Sequence, residues 1–245
     1  MTTNILDLRE FYASAQGRIV RGLLRRHVQK IWPDLAGETV LGLGYPLPLL
    51  RPWLGKARLL GVMPPAQGGV YWPREGPNLI ALASFEALPF EDESVHRAVI
   101  MHGLETASDP EVFLAEIWRV LKGNGRVLMV VPNRRGFWAH SDQTPFGTGQ
   151  PYSSGQLRAL LRGEGFVVDR ISGALYLPPT SSRLLLAAST GFERAMAPLC
   201  PGFGGLLLIE ASKQLFEPLL TRARSTKSRL VLPLPFPVPT RPVTT

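Results

Sequence analysis

Apolar positions along this chain fall into two rhythms. In the first, Val20, Leu23, Leu24, Val28 and Ile31 recur at helical spacing and give one apolar face. Upstream, Asp7-Leu8-Arg9-Glu10 stands in capping-box register. Trp32-Pro33-Asp34 ends the helix, because the residue before a proline is pushed out of the α region. These signals predict an N-terminal helical segment over 1–36, leaning on a sheet. The second rhythm is a series of short apolar runs at 40–44, 58–62, 79–83, 95–101, 126–131, 166–171 and 205–212. Most are apolar at consecutive positions, as strands buried on both faces are. Between the fourth and fifth runs lies a helix with Asp109 as cap and Pro110 in its first turn, stopped by Gly123-Asn124-Gly125. Ser153 and Gln156 open another helix that ends near Gly163 and Gly165. Residues 178–204 read as an insertion before the last strand, helical over 182–196. Strands alternating with helices predict an α/β fold with a mostly parallel sheet covered on both faces.

Composition narrows the picture. The net charge of +8 sits largely in the first helix (Arg18, Arg21, Arg25, Arg26, Lys30) and near the C-terminus (Arg222, Arg224, Lys227, Arg229). A solvated helix face and a basic tail account for it better than nucleic acid, because the charge is tied to no recognition motif. From 221 onward the chain is basic and proline-rich, and 232–242 alternates proline with apolar residues, which favours polyproline II conformation. Cys200 is the only cysteine, so the sequence excludes an internal disulfide and fits a reducing, cytoplasmic setting. His27, His96 and His140 show no metal-ligand spacing. No run is long enough for a membrane span, and the first residues lack a signal-peptide layout.

Ala87-Leu88-Pro89-Phe90-Glu91-Asp92-Glu93-Ser94-Val95 resembles the "LPF-x-DxSFD" segment of class I S-adenosylmethionine (SAM)-dependent methyltransferases. His102-Gly103-Leu104-Glu105 is similar to their "HVLEH" turn. Asp109-Pro110 followed by Ile117-Trp118-Arg119-Val120-Leu121-Lys122-Gly123-Asn124-Gly125-Arg126 resembles "DP…EIxRVLKPGGR", and Val130-Val131-Pro132-Asn133 follows as in that family. The resemblance spans 40–166 and is specific from 88 to 133. With its "LGLGY" opening, the chain is most similar to bacterial methyltransferase-type-11-like proteins. The resemblance implies a Rossmann-like seven-stranded class I methyltransferase sheet with the last strand antiparallel, occupying 37–220, and ligands at the carboxyl ends of the strands. It also points to a protein partner, a glyoxalase II-type hydrolase.

Carried over residue by residue, the resemblance places the cofactor at Gly42, Gly44, Tyr45, Met63, Ser84, Phe85 and His102. Several of these depart from the family pattern. Gly42 stands where an acidic residue ends the first strand, and Pro46 and Pro48 replace later glycines. Proline has no N–H to donate and a fixed φ. Met63 replaces the carboxylate that takes the ribose hydroxyls, and a thioether cannot accept two hydrogen bonds in its place; Gln67 is the nearby amide. Ser84 replaces the Asp at the adenine amine. Losing two or three such contacts at about 1–2 kcal/mol each lowers affinity by roughly two to four decades. His102 reads either as a general base or as a hydrogen-bonded structural histidine. Arg134 and Arg135, with Trp138 and Tyr152, either hold an anionic substrate or are ordinary loop residues. Asp142–Gly147 forms a loop able to cover a pocket. Two readings stand: a SAM-dependent methyltransferase of a small molecule, and a degenerate methyltransferase that acts as a binding or regulatory subunit.

Overall fold

The computed structural model describes residues 4–180, 182–200 and 202–214. The basic, proline-rich segment 221–245 lies outside them.

Seven strands form one sheet: β1 (Thr39–Gly44), β2 (Arg58–Met63), β3 (Ile80–Leu82), β4 (Val95–Met101), β5 (Leu121–Pro132), β6 (Phe166–Ala174) and β7 (Leu206–Lys213). Their order is β3-β2-β1-β4-β5-β7-β6. Only β7 runs against its neighbours, pairing antiparallel with both β5 and β6. The consecutive apolar runs follow from two-sided burial. In β1, Val40 joins the cluster on one face, while Leu41 and Leu43 join the cluster on the other. In β5, Leu128 and Val130 alternate in the same way with Val127, Met129 and Val131.

The first face is covered by α1 (Ile5–Ala13), α2 (Ala15–Ile31) and the short α3 (Leu47–Leu50). The second is covered by α4 (Pro110–Val120) and α5 (Ser154–Gly163). The insertion carries α6 (Arg183–Leu199), which packs on α2 and β6. Among the described residues no helix is long and apolar enough to cross a membrane.

Two expectations about local structure need correcting. The N-terminal segment is two helices. Asn4 caps α1, its side chain accepting from the Leu6 N–H at 3.1 Å, so Asp7 lies inside the first turn and is not the cap. Ser14 closes α1 and caps α2, its Oγ accepting from the Gly17 N–H at 3.0 Å. Gly17 allows the two helices to meet, since a Cβ there would sit 1.9 Å from the Phe11 carbonyl oxygen. The second correction concerns Gly123-Asn124-Gly125. These residues lie within β5, which begins at Leu121 opposite Val95, and neither glycine takes a positive φ. Pairing with β4 starts before the glycines are reached, so α4 ends at Val120 with Leu121 as its cap.

Candidate ligand crevice

In an open, mostly parallel sheet, ligands bind outside the carboxyl ends of the strands where the strand order reverses. Here that point lies between β1 and β4, and every residue from Leu41 to Leu50 is buried. Gly44 takes φ +82, and a Cβ on it would come within 2.4 Å of the Met101 carbonyl oxygen and 2.8 Å of the His102 backbone. Its lack of a side chain lets β1 close against β4 rather than approach a ligand. The next amide, of Tyr45, donates to the Met101 carbonyl at 2.6 Å. Over Gly42 lie the Pro46 ring and the Leu50 side chain, 2.5 and 2.7 Å from where a Cβ would stand. The Leu49 and Leu50 amides both donate to the Pro46 carbonyl.

Helix α1 closes the crevice from outside. Its Ile5, Leu8, Phe11 and Tyr12 are buried. The Ile5 amide donates to the Gln67 carbonyl at 2.9 Å, which ties the start of α1 to the loop after β2. At the other end, Tyr12 stacks on Tyr45 with ring centroids 5.7 Å apart, and its hydroxyl lies 2.8 Å from His102 Nε2. Phe11 meets Phe146 edge-on at 6.0 Å, and Phe146 lies against the His102 ring at 4.7 Å. Met63 is enclosed in the same apolar cluster.

His102 is therefore a buried hub with φ +54. Its Nδ1 stands 3.5 Å from Glu105 Oε1, without hydrogen-bond geometry, and its carbonyl accepts from Gln67 Nε2 at 3.4 Å. Both Glu105 oxygens and Gln67 Oε1 are buried with no hydrogen-bond partner among the described residues. Burial pushes the Tyr12 phenol well above its ordinary range, with Tyr45 and Glu105 adding to the effect. Tyr12 of α1 is thus bonded to His102, while the Glu105 carboxyl lies beside the imidazole without a hydrogen bond to it.

The remaining sequence-singled residues are dispersed. Ser84 is exposed, and its Oγ accepts from the Glu86 amide in a turn. Phe85 is buried, stacked on Phe113 at 4.2 Å. Arg134 and Arg135 are exposed, whereas Trp138 is buried and donates to the Leu177 carbonyl at 2.8 Å. Tyr152 is buried and its hydroxyl reaches the Leu104 carbonyl at 3.5 Å. The open cleft between α1 and the 142–148 loop carries Asp7, Glu10 and Asp142, opposite in sign to the arginine pair. Sequence reasoning missed Phe11 and Tyr12. The signal was present, since Ile5, Leu8, Phe11 and Tyr12 follow the spacing of one helical face.

Residues 65–129 match the model of the methyltransferase domain family. The structure is similar to a SAM-dependent methyltransferase from Thermotoga maritima, with a TM-score of 0.64 at 18% identity over 86% of this chain and 96% of that one. A Haloferax volcanii methyltransferase solved as a complex with the Trm112 methyltransferase activator gives 0.56 at 21% identity, covering 84% of this chain and 98% of that chain. A SAM-dependent methyltransferase from Mesorhizobium loti gives 0.54 at 14% identity, covering 82% and 99%. No curated protein matches by sequence. The sheet is the Rossmann-like class I methyltransferase fold, and the family similarity lies within residues 65–129.

The residues at the crevice do not fit SAM in this conformation. Its methionine part would need the β1 loop backbone, which is buried and internally bonded, and its ribose would meet the Met63 thioether.

Proposed function

We propose that this chain is a degenerate methyltransferase that works as a binding or regulatory subunit rather than as a catalyst. The observation that carries the reading is the burial of every residue from Leu41 to Leu50, with Tyr12 of α1 stacked on Tyr45 and with Pro46 and Leu50 packed over Gly42. A site that binds cofactor repeatedly must expose loop amides to it, and here those amides serve the fold. The Haloferax volcanii neighbour is a methyltransferase in complex with an activator protein, which makes a protein partner a reasonable role for this fold.

One observation favours the other reading, a SAM-dependent methyltransferase of a small molecule. Buried polar atoms are normally paired, yet Glu105 Oε1 and Oε2 and Gln67 Oε1 are not. A displaced α1 would expose them to a ligand, with His102 beside them as the base.

Calorimetric titration of the full chain with SAM and with S-adenosylhomocysteine at low salt separates the two. The subunit reading expects no binding up to millimolar ligand. Micromolar binding of either compound overturns it and returns His102 to a catalytic role.

A further inference from the structure

Among the described residues, helix α6 has an outer face with nothing against it. Toward the molecule it buries Leu186, Ser189 and Glu193. Away from it, Leu185, Ala188, Phe192, Ala195 and Leu199 are exposed at alternating spacings of three and four, one stripe of the helix. Leu184, beside them, is 83% exposed and Leu199 is 73% exposed, values unusual for leucine in a packed domain. Phe203 extends the exposed apolar surface just past the helix end at 62%. A continuous apolar face of this kind marks an interaction surface.

The charges around it specify the occupant. The only acidic residue on α6, Glu193, is buried and taken up by the Leu175 and Tyr176 amides and by His27. Arg183 and Arg194 are exposed. Arg194 lines the same groove as Arg26 and Lys30 of α2, and Arg26 also donates to Thr190 of α6 at 3.0 Å. The exposed surface of α6 is therefore bordered on its α2 side by arginine and lysine, with no exposed acid on the helix itself. A second copy of the chain placed on this face would set like charges against each other. A helix with leucine and phenylalanine on one side and basic residues at its edge matches the interface of an anionic bilayer, where the apolar face sinks to the acyl boundary and the cations stay among the headgroups.

We propose that α6 is an interfacial helix that docks the protein on anionic lipid surfaces. This role is separate from the crevice and does not depend on whether SAM binds.

The test is sedimentation of the full chain with vesicles of phosphatidylcholine alone and of phosphatidylcholine mixed with phosphatidylglycerol. Partition into the mixed vesicles is expected, with much less into the neutral ones. The double variant Leu185→Ser/Phe192→Ser changes no charge and should weaken partition by about tenfold or more. Leu184→Ser, at the most exposed site, is a milder second variant and should weaken it about threefold. An unchanged melting temperature shows that each variant folds. No partition into the mixed vesicles overturns the proposal. So does partition that both variants leave intact, because charge elsewhere then carries it. A dimer of the parent chain that the variants dissolve also overturns it, because a second copy then covers the face.

Discussion

The two halves of the methyltransferase motif set have different fates in this molecule. The later half, from Leu88 to Asn133, retains the family pattern, and its residues bond to one another. Arg119 donates to Glu116, to Asp92 and to the Leu88 and Phe90 carbonyls, while Glu116 also accepts from the Leu88 amide. This latch fastens the segment before β4 to α4. The earlier half, from Val40 to Ser84, departs from that pattern at Gly42, Met63 and Ser84, and the Pro46 ring and Leu50 pack over Gly42. The family match begins at residue 65, beyond β1 and β2. The resemblance is therefore strongest where residues hold the fold, and weakest at the positions that the resemblance assigns to the cofactor. A family match resting on the latch is evidence about architecture, and function must be argued at the site.

The largest expected effect falls in the closed half. Gly44→Ala combines a positive φ with a backbone clash against Met101 and should cost about 3–5 kcal/mol in urea unfolding. A variant that kept full stability would show that the crevice is looser than its packing indicates. Next is the latch. Arg119→Ala removes charge-assisted bonds to Glu116 and Asp92 and two bonds to carbonyls, and should cost about 2–3 kcal/mol. The Arg119 hydrogen bond is the chief reason the Glu116 carboxyl titrates below its usual range, against the opposing pull of burial. Its contribution is present at neutral pH and is lost as pH falls through the depressed folded value, so this variant should also flatten the acid limb of the stability curve.

A smaller effect is expected at the lid. Tyr12→Phe strips His102 Nε2 of its 2.8 Å partner and should cost about 1–2 kcal/mol in thermal unfolding. The smallest is alkaline. Unfolded tyrosine releases its proton near pH 10, whereas folded Tyr12 holds on to its own. The folded state then binds more protons, so stability falls as pH rises past about 10. Tyr12→Phe should make that fall shallower, and Tyr45, also raised by burial, should leave a residue of it. Equal alkaline limbs for parent and variant would mean that Tyr12 is open to solvent and the crevice with it.

Most of the architecture was legible because two-sided strand burial and helix capping are local signals. Ser153 and Gln156 form the capping box that their spacing implies. Asp109 caps α4 with bonds to the Glu111 and Val112 amides. The break at Ser14 was not legible, because both sides are helical and the divide shows only in how the Phe11 carbonyl closes on Gly17. Long-range contacts, such as the Ile5 amide on the Gln67 carbonyl, hid the closure of the crevice. Gly42, Pro46 and Met63 read as missing ligand contacts, but only the fold shows Pro46 and Leu50 over Gly42 and Tyr12 against His102. Arg97 is a further case. It forms a two-point pair with Glu38, 59 residues earlier, and lies over the Trp32 ring.

The packing over Gly42 also bears on the history open to this chain. An acidic side chain restored at 42 would collide with the Pro46 ring and Leu50, and its charge would be buried among apolar groups. Replacing Pro46 or Leu50 first would leave a void in a buried loop. Either first step, at 42 or at its two neighbours, therefore passes through a less stable protein. Such sign epistasis works as a ratchet: for a segment packed in this way, selection for a folded chain alone is enough to keep it closed.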